Sequence, residues 1–117
     1  MNRLLALLAG LGASCALQAA GTGTSSSSSA VATTLEPGKA YESCMTLDAG
    51  DKRRWYWKAD GPVDFDIHFR DGDNVAYAVK RERMRGDGGT FAAKTAQDYC
   101  WMWSAAKPAK LEAKVLP

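Results

Sequence analysis

His68 is the one histidine in the chain, and it closes a run that decides which residues can meet it. In Val63-Asp64-Phe65-Asp66-Ile67-His68-Phe69, apolar and polar residues alternate at every step. A period of two places Asp64, Asp66 and His68 on one face of a strand and the four apolar side chains on the other. An imidazole and two carboxylates at alternate strand positions could ligate a metal ion or relay a proton. The competing reading is a solvated polar face with Arg70 beside it. No second histidine exists to complete a ligand set, so the solvated face is preferred. The metal set Asp64, Asp66 and His68 stands as the alternative.

Two other groups of side chains could contact a ligand. Lys80, Arg81, Arg83 and Arg85 cluster around Glu82 and could meet anionic headgroups, acidic glycans or an acidic protein surface. A solvated loop, or an edge strand guarded by charge, would look the same. Trp55, Trp57, Trp101 and Trp103 are dense for so short a chain. They could stack on a carbohydrate, but such pairs more often fill a sandwich core. Asp71-Gly72-Asp73-Asn74 lacks the spaced oxygens of a calcium loop and reads as a hairpin turn. There is no Gly-x-Ser-x-Gly elbow, zinc motif or phosphate-cradling glycine loop. The expectation is therefore a protein that is not an enzyme and needs no cofactor.

The cysteines divide by position. Met1 to Arg3 is a short positive segment, and Leu4 to Ala13 is apolar but too short to span a bilayer. Residues 1–20 read as a signal peptide. Leu11-Gly12-Ala13-Ser14-Cys15 resembles the lipobox of bacterial lipoproteins, which implies cleavage before Cys15 and acylation of its thiol. Ordinary signal-peptidase cleavage near Ala16 or Ala19 is the other route. Both routes export the chain, to the periplasm or to an outer membrane. Cys44 and Cys100 lie on separate candidate strands of an exported chain and are expected to form a disulfide; two free buried thiols are the other arrangement.

These residues need a scaffold. Residues 21–34, with five consecutive serines from Ser25 to Ser29, read as a flexible linker. Strand patterns then recur over Lys39 to Leu47, Arg54 to Ala59, Val63 to Arg70, Val75 to Val79, Thr90 to Ala93, Gln97 to Ser104 and Leu111 to Val115. Pro37-Gly38, Asp60-Gly61-Pro62 and Gly86-Asp87-Gly88-Gly89 separate some of them as turns. No segment has a helical period. The expectation is an all-β domain over 35–117, a small antiparallel β-sandwich of about six to eight short strands with one disulfide. A net charge of +2 over 117 residues is too small and too dispersed for a nucleic-acid binder.

Cys44 on an early strand, Phe65-Asp66-Ile67, Gly89-Thr90-Phe91 and Asp98-Tyr99-Cys100-Trp101 together resemble the GOLD domain. The resemblance implies a β-sandwich closed by a disulfide between Cys44 and Cys100, and a binding role. Trp55 through Phe69 also resembles small β-sandwich domains attached to secreted bacterial peptidases. The chain thus reads as a non-catalytic binding module of the bacterial cell envelope. Its expected partner is an envelope protein or glycan, met through Lys80, Arg81, Arg83 and Arg85, and acylation at Cys15 would hold it on a membrane.

Overall fold

The computed structural model describes residues 28–117. The expected signal peptide, Cys15 and the first part of the expected linker lie outside them. The described residues form six strands: β1 (Ser29–Leu35), β2 (Ala40–Leu47), β3 (Lys52–Asp71), β4 (Asn74–Ala92), β5 (Gln97–Ser104) and β6 (Ala109–Leu116). Every pairing is antiparallel, and there is no helix among the described residues.

The long strand β3 organises the sheet. Along one edge its first part pairs with β6, from Arg54↔Leu116 to Ala59↔Leu111. Its second part pairs with β5, from Asp64↔Ser104 to His68↔Cys100. Its other edge pairs with β4, in a register that slips between Lys58 and Val63. Gly61 and Pro62 sit in that interval; proline has no N–H to give a ladder and is tolerated at such an irregularity. The strand turns a corner there, and the six-stranded sheet, ordered β1-β6-β3-β5-β2 with β4 against β3, curls over itself. One layer holds β1, β6, the start of β3 and the end of β4. The other holds β2, β5, the end of β3 and the start of β4.

The core fills the space between the layers. Trp55 and Trp57 come from the first layer, and Phe65, Ile67, Tyr99, Trp101 and Trp103 from the second. Leu111, Ala113 and Val115 of β6 complete it. Phe65 meets Trp57 at 5.7 Å and Trp103 at 5.5 Å between ring centroids. The expected β-sandwich and the Cys44–Cys100 disulfide are both present.

Three boundaries differ from the sequence reading. Asp60-Gly61-Pro62 is a bend within β3, so the two expected strands on either side of it are one. The charged stretch Lys80 to Arg85, open between a loop and an edge strand, is edge strand, and it and the expected glycine turn are parts of the continuous β4. Finally, Ser29 to Thr34, placed in the linker with the serine run, belong to β1. Val31 and Thr33 turn toward the interior, and all seven residues of β1 pair with β6. The β-branched Val31, Thr33 and Thr34 suit a strand, and the edge of β6 supplies the partner that local composition does not show.

Candidate functional site

Because Phe65, Ile67, Trp101 and Trp103 point into the core, their neighbours along each strand face outward. The outer face of the second layer is therefore a lattice of chemically active side chains. Across it, Cys44 pairs with Cys100, Cys100 with His68, and His68 with Tyr77. In the adjacent row Glu42 pairs with Met102, Met102 with Asp66, and Asp66 with Lys80. Four strands thus bring the single histidine, two carboxylates, the disulfide, a tyrosine and a lysine onto one surface.

His68 is held from both sides. Its Nδ1 lies 2.6 Å from Asp66 Oδ1 and its Nε2 lies 3.1 Å from Glu42 Oε2. Asp66 is two residues earlier on the same strand, so strand pleating alone supplies that contact. Glu42 reaches diagonally over β5 from β2. A neutral imidazole carries one N–H and an imidazolium two, so the cation donates to both carboxylates at once. Asp66 is buried at 8% exposure. Burial pushes its carboxyl above the ordinary carboxylate range, and the hydrogen bond and charge of His68 oppose that rise. Tyr77 approaches the imidazole edge-on, with centroids 6.1 Å apart, and Lys80 Nζ lies 4.5 Å from the centre of the Tyr77 ring.

The disulfide borders the same site. Cys44 is exposed and Cys100 is half-buried, so the bond lies on the outer face and not in the core. Cys100 Sγ, a His68 ring nitrogen and a Glu42 carboxylate oxygen all lie within 4.8 Å of one another. These residues line a shallow groove of about 590 Å³ that continues past Thr46, Arg70 and Asp98.

The residues singled out in the sequence do not all meet here. Asp66 and His68 do, but Asp64 accepts the backbone N–H of Arg83 at 2.9 Å and takes no part. Asp66 and Glu42 occupy opposite nitrogens of the ring, so Asp64, Asp66 and His68 are not a set that closes around one ion. Glu42 was missed because the order of β2, β5 and β3 in the sheet leaves no local mark.

The basic run divides among different surroundings. Lys80 faces the His68 surface. Arg81 pairs with Asp87 at 3.6 Å between Nε and Oδ2, at the β4 edge. Arg83 and Arg85 line a second groove, of about 710 Å³, at the β3 corner, where Arg85 donates to the Asp60 carbonyl. All four tryptophans are buried, at 6% exposure or less, which removes the carbohydrate-stacking reading and leaves them as core.

No protein-family model and no curated protein matches the chain. Among solved structures, the mitogen of Yersinia pseudotuberculosis is similar over 77% of this chain and 85% of its own, at 7% identity and a TM-score of 0.49. PliG of Aeromonas hydrophila, a periplasmic inhibitor of g-type lysozyme, is similar over 76% and 84%, at 13% identity and a TM-score of 0.49. A de novo designed double-stranded β-helix is similar over 74% and 96%, at 19% identity and a TM-score of 0.42.

Proposed function

We propose that the chain is a non-catalytic binding module of an exported, envelope-associated protein, and that it binds through the outer face of its second layer. The carrying observation is the group Val75, Tyr77 and Lys80 on the edge strand β4. Among the described residues, the exposed large hydrophobic side chains are Tyr56, Val75 and Tyr77. Two of these three thus lie within three residues of each other, beside the His68 groove. An exposed tyrosine with a cation over its ring is a recurrent anchor of protein recognition. Burial of the four tryptophans favours a protein partner over a glycan. The Cys44–Cys100 disulfide supports maturation in an oxidising compartment. Acylation of Cys15, which would tether the module, and kinship with GOLD domains belong to the same proposal.

The test exploits an internal control. Tyr56 is as exposed as Tyr77, at 50%, but lies on the outer face of the first layer. A photo-crosslinking residue at position 77 is expected to yield a discrete protein adduct in the envelope, and one at position 56 is not. Lys80→Glu in the position-77 chain should abolish the adduct. Equal adducts from both positions would sink the reading.

A further inference from the structure

We infer that reduction of the Cys44–Cys100 disulfide converts the His68 face into a binding site for one divalent transition-metal ion, zinc above all, held by Cys44, Cys100, His68 and Glu42. This inference rests on the geometry of that face and needs no envelope partner, so it can fail while the binding-module reading stands.

The donors are already gathered. Sulfur, imidazole nitrogen and carboxylate oxygen lie within 4.8 Å of one another, and they come from three adjacent strands. Cys44 stands directly opposite Cys100, with Cα atoms 4.0 Å apart, so its sulfur is delivered to the same place. Two thiolates, an imidazole and a carboxylate form a four-donor set suited to a tetrahedral zinc ion.

The second observation is the orientation of the ring. Asp66, nearly buried, holds His68 by Nδ1 and leaves Nε2 aimed at Glu42. A carboxylate behind a histidine is the arrangement that fixes the tautomer and turns the other nitrogen toward a metal. Nε2 and Glu42 Oε2 lie 3.1 Å apart, a separation that a shared cation can bridge. A metal ion is a positive charge that such a pair accepts, and the two carboxylates flanking one imidazole favour a cation there.

The redox step balances with a dithiol reductant. One of its thiolates attacks the exposed Cys44 sulfur and expels the Cys100 thiolate beside His68. The second reductant thiol then attacks the mixed disulfide and releases Cys44. The reductant departs as a cyclic disulfide, having given two electrons and two protons, and both cysteines are left as thiols. The incoming divalent ion displaces the two thiol protons, which pass to solvent, and takes the lone pair of Nε2 in the tautomer whose Nδ1–H faces Asp66. With the disulfide closed, the sulfurs are no longer thiolates and only His68 and Glu42 remain as good donors.

The test uses the full chain carrying Cys15→Ser, so that the remaining thiols are Cys44 and Cys100. Co²⁺ serves as the spectroscopic probe, with Zn²⁺ as competitor and circular dichroism read in parallel. The reduced chain should bind one Co²⁺ with thiolate-to-cobalt charge-transfer and tetrahedral ligand-field bands, lost on adding Zn²⁺. The disulfide form should show no charge-transfer band and bind at least about 100-fold more weakly. His68→Gln and Glu42→Gln should each weaken the reduced site by about tenfold or more. A reduced chain without the charge-transfer band overturns the inference. So does a band of undiminished affinity in the His68→Gln, Glu42→Gln double variant, which would mark an adventitious dithiol chelate. A reduced chain that loses its strand signal, and that neither Co²⁺ nor Zn²⁺ restores, overturns it as well.

Discussion

Trp55 and Phe65 belong to one strand, ten residues apart, and their ring centroids lie 4.7 Å from each other. A straight strand of that length would separate them by roughly 30 Å. The contact exists because β3 turns its corner at Gly61-Pro62 and lays its second part over its first. Phe65 therefore joins the two layers, touching Trp55, Trp57 and Trp103 together. Phe65→Ala is expected to destabilise the fold by about 3–5 kcal/mol, through lost burial and the cavity left behind. Urea unfolding followed by tryptophan fluorescence measures it. Tyr56→Ala, on the exposed face of the same strand, should change stability by no more than about 0.5 kcal/mol.

The same corner shows what could be read from the sequence and what could not. The alternation from Val63 to Phe69 identified the core face and the outward face of the second half of β3 correctly, because a strand's period is a local property. The pairing of Cys44 with Cys100 was expected from the signal-peptide reading and from their places on separate strands, and the structure holds it. That the bond lies on the outer face is a finding of the structure. The continuity of β3 and β4 was hidden by Gly61-Pro62 and by the glycines from Gly86 to Gly89. Those residues normally end a strand, and here they bend one. The Glu42–His68 contact could not be read at all. It depends on β5 lying between β2 and β3, a fact of sheet order that no spacing along the chain encodes.

Cys44 and Cys100 are 56 residues apart in the chain. In the chain-entropy account, a closed loop of that length stabilises the fold by about 4 kcal/mol. Because the bond lies on the outer face, replacing both cysteines with alanine leaves no void in the core. The Cys44→Ala, Cys100→Ala chain, also carrying Cys15→Ser, should have a lower unfolding free energy than the Cys15→Ser chain by an amount near that figure, read from urea unfolding curves. Its native-state tryptophan emission should be unchanged. A red-shifted native emission would instead indicate that the disulfide organises the packing of Trp101 and Trp103.

Asp66 sets a pH dependence whose sign follows from its burial. Its folded-state affinity for a proton exceeds that of the unfolded chain, because burial outweighs the opposing pull of His68 and, more weakly, of Lys80, while Glu42 adds to the rise. Such a group contributes stability that is fully present below the unfolded carboxylate value, about 3.9, and is lost as pH rises through the higher folded value. Asp66→Asn removes the titration but keeps an oxygen that can accept from His68. The stability of the natural chain relative to Asp66→Asn should therefore fall as pH climbs out of the acid range, and level off once the carboxyl is ionised in both states. Paired urea midpoints across that range report it; a relative stability that rises with pH would mean that the His68 contact outweighs desolvation.

Asp64 has a different task from the carboxylates around His68. Arg83 has a φ of 52°, a left-handed conformation uncommon for a residue with a side chain. It lies where β4 carries one more residue than β3 between the Val63↔Met84 and Phe65↔Arg81 pairs. A bulge of this kind takes an N–H out of the ladder, and Asp64 Oδ1 accepts it at 2.9 Å. Asp64→Ala should therefore cost about 1 kcal/mol of stability by leaving that donor without its acceptor, and Asp64→Asn should recover part of the loss through its amide oxygen. Neither change touches Glu42, His68 or the cysteines, so the Co²⁺ affinity of the reduced chain should stay within about twofold of the unsubstituted value. A tenfold loss of that affinity in Asp64→Asn would place Asp64 in the metal set after all, and would require the bulge at Arg83 to release it.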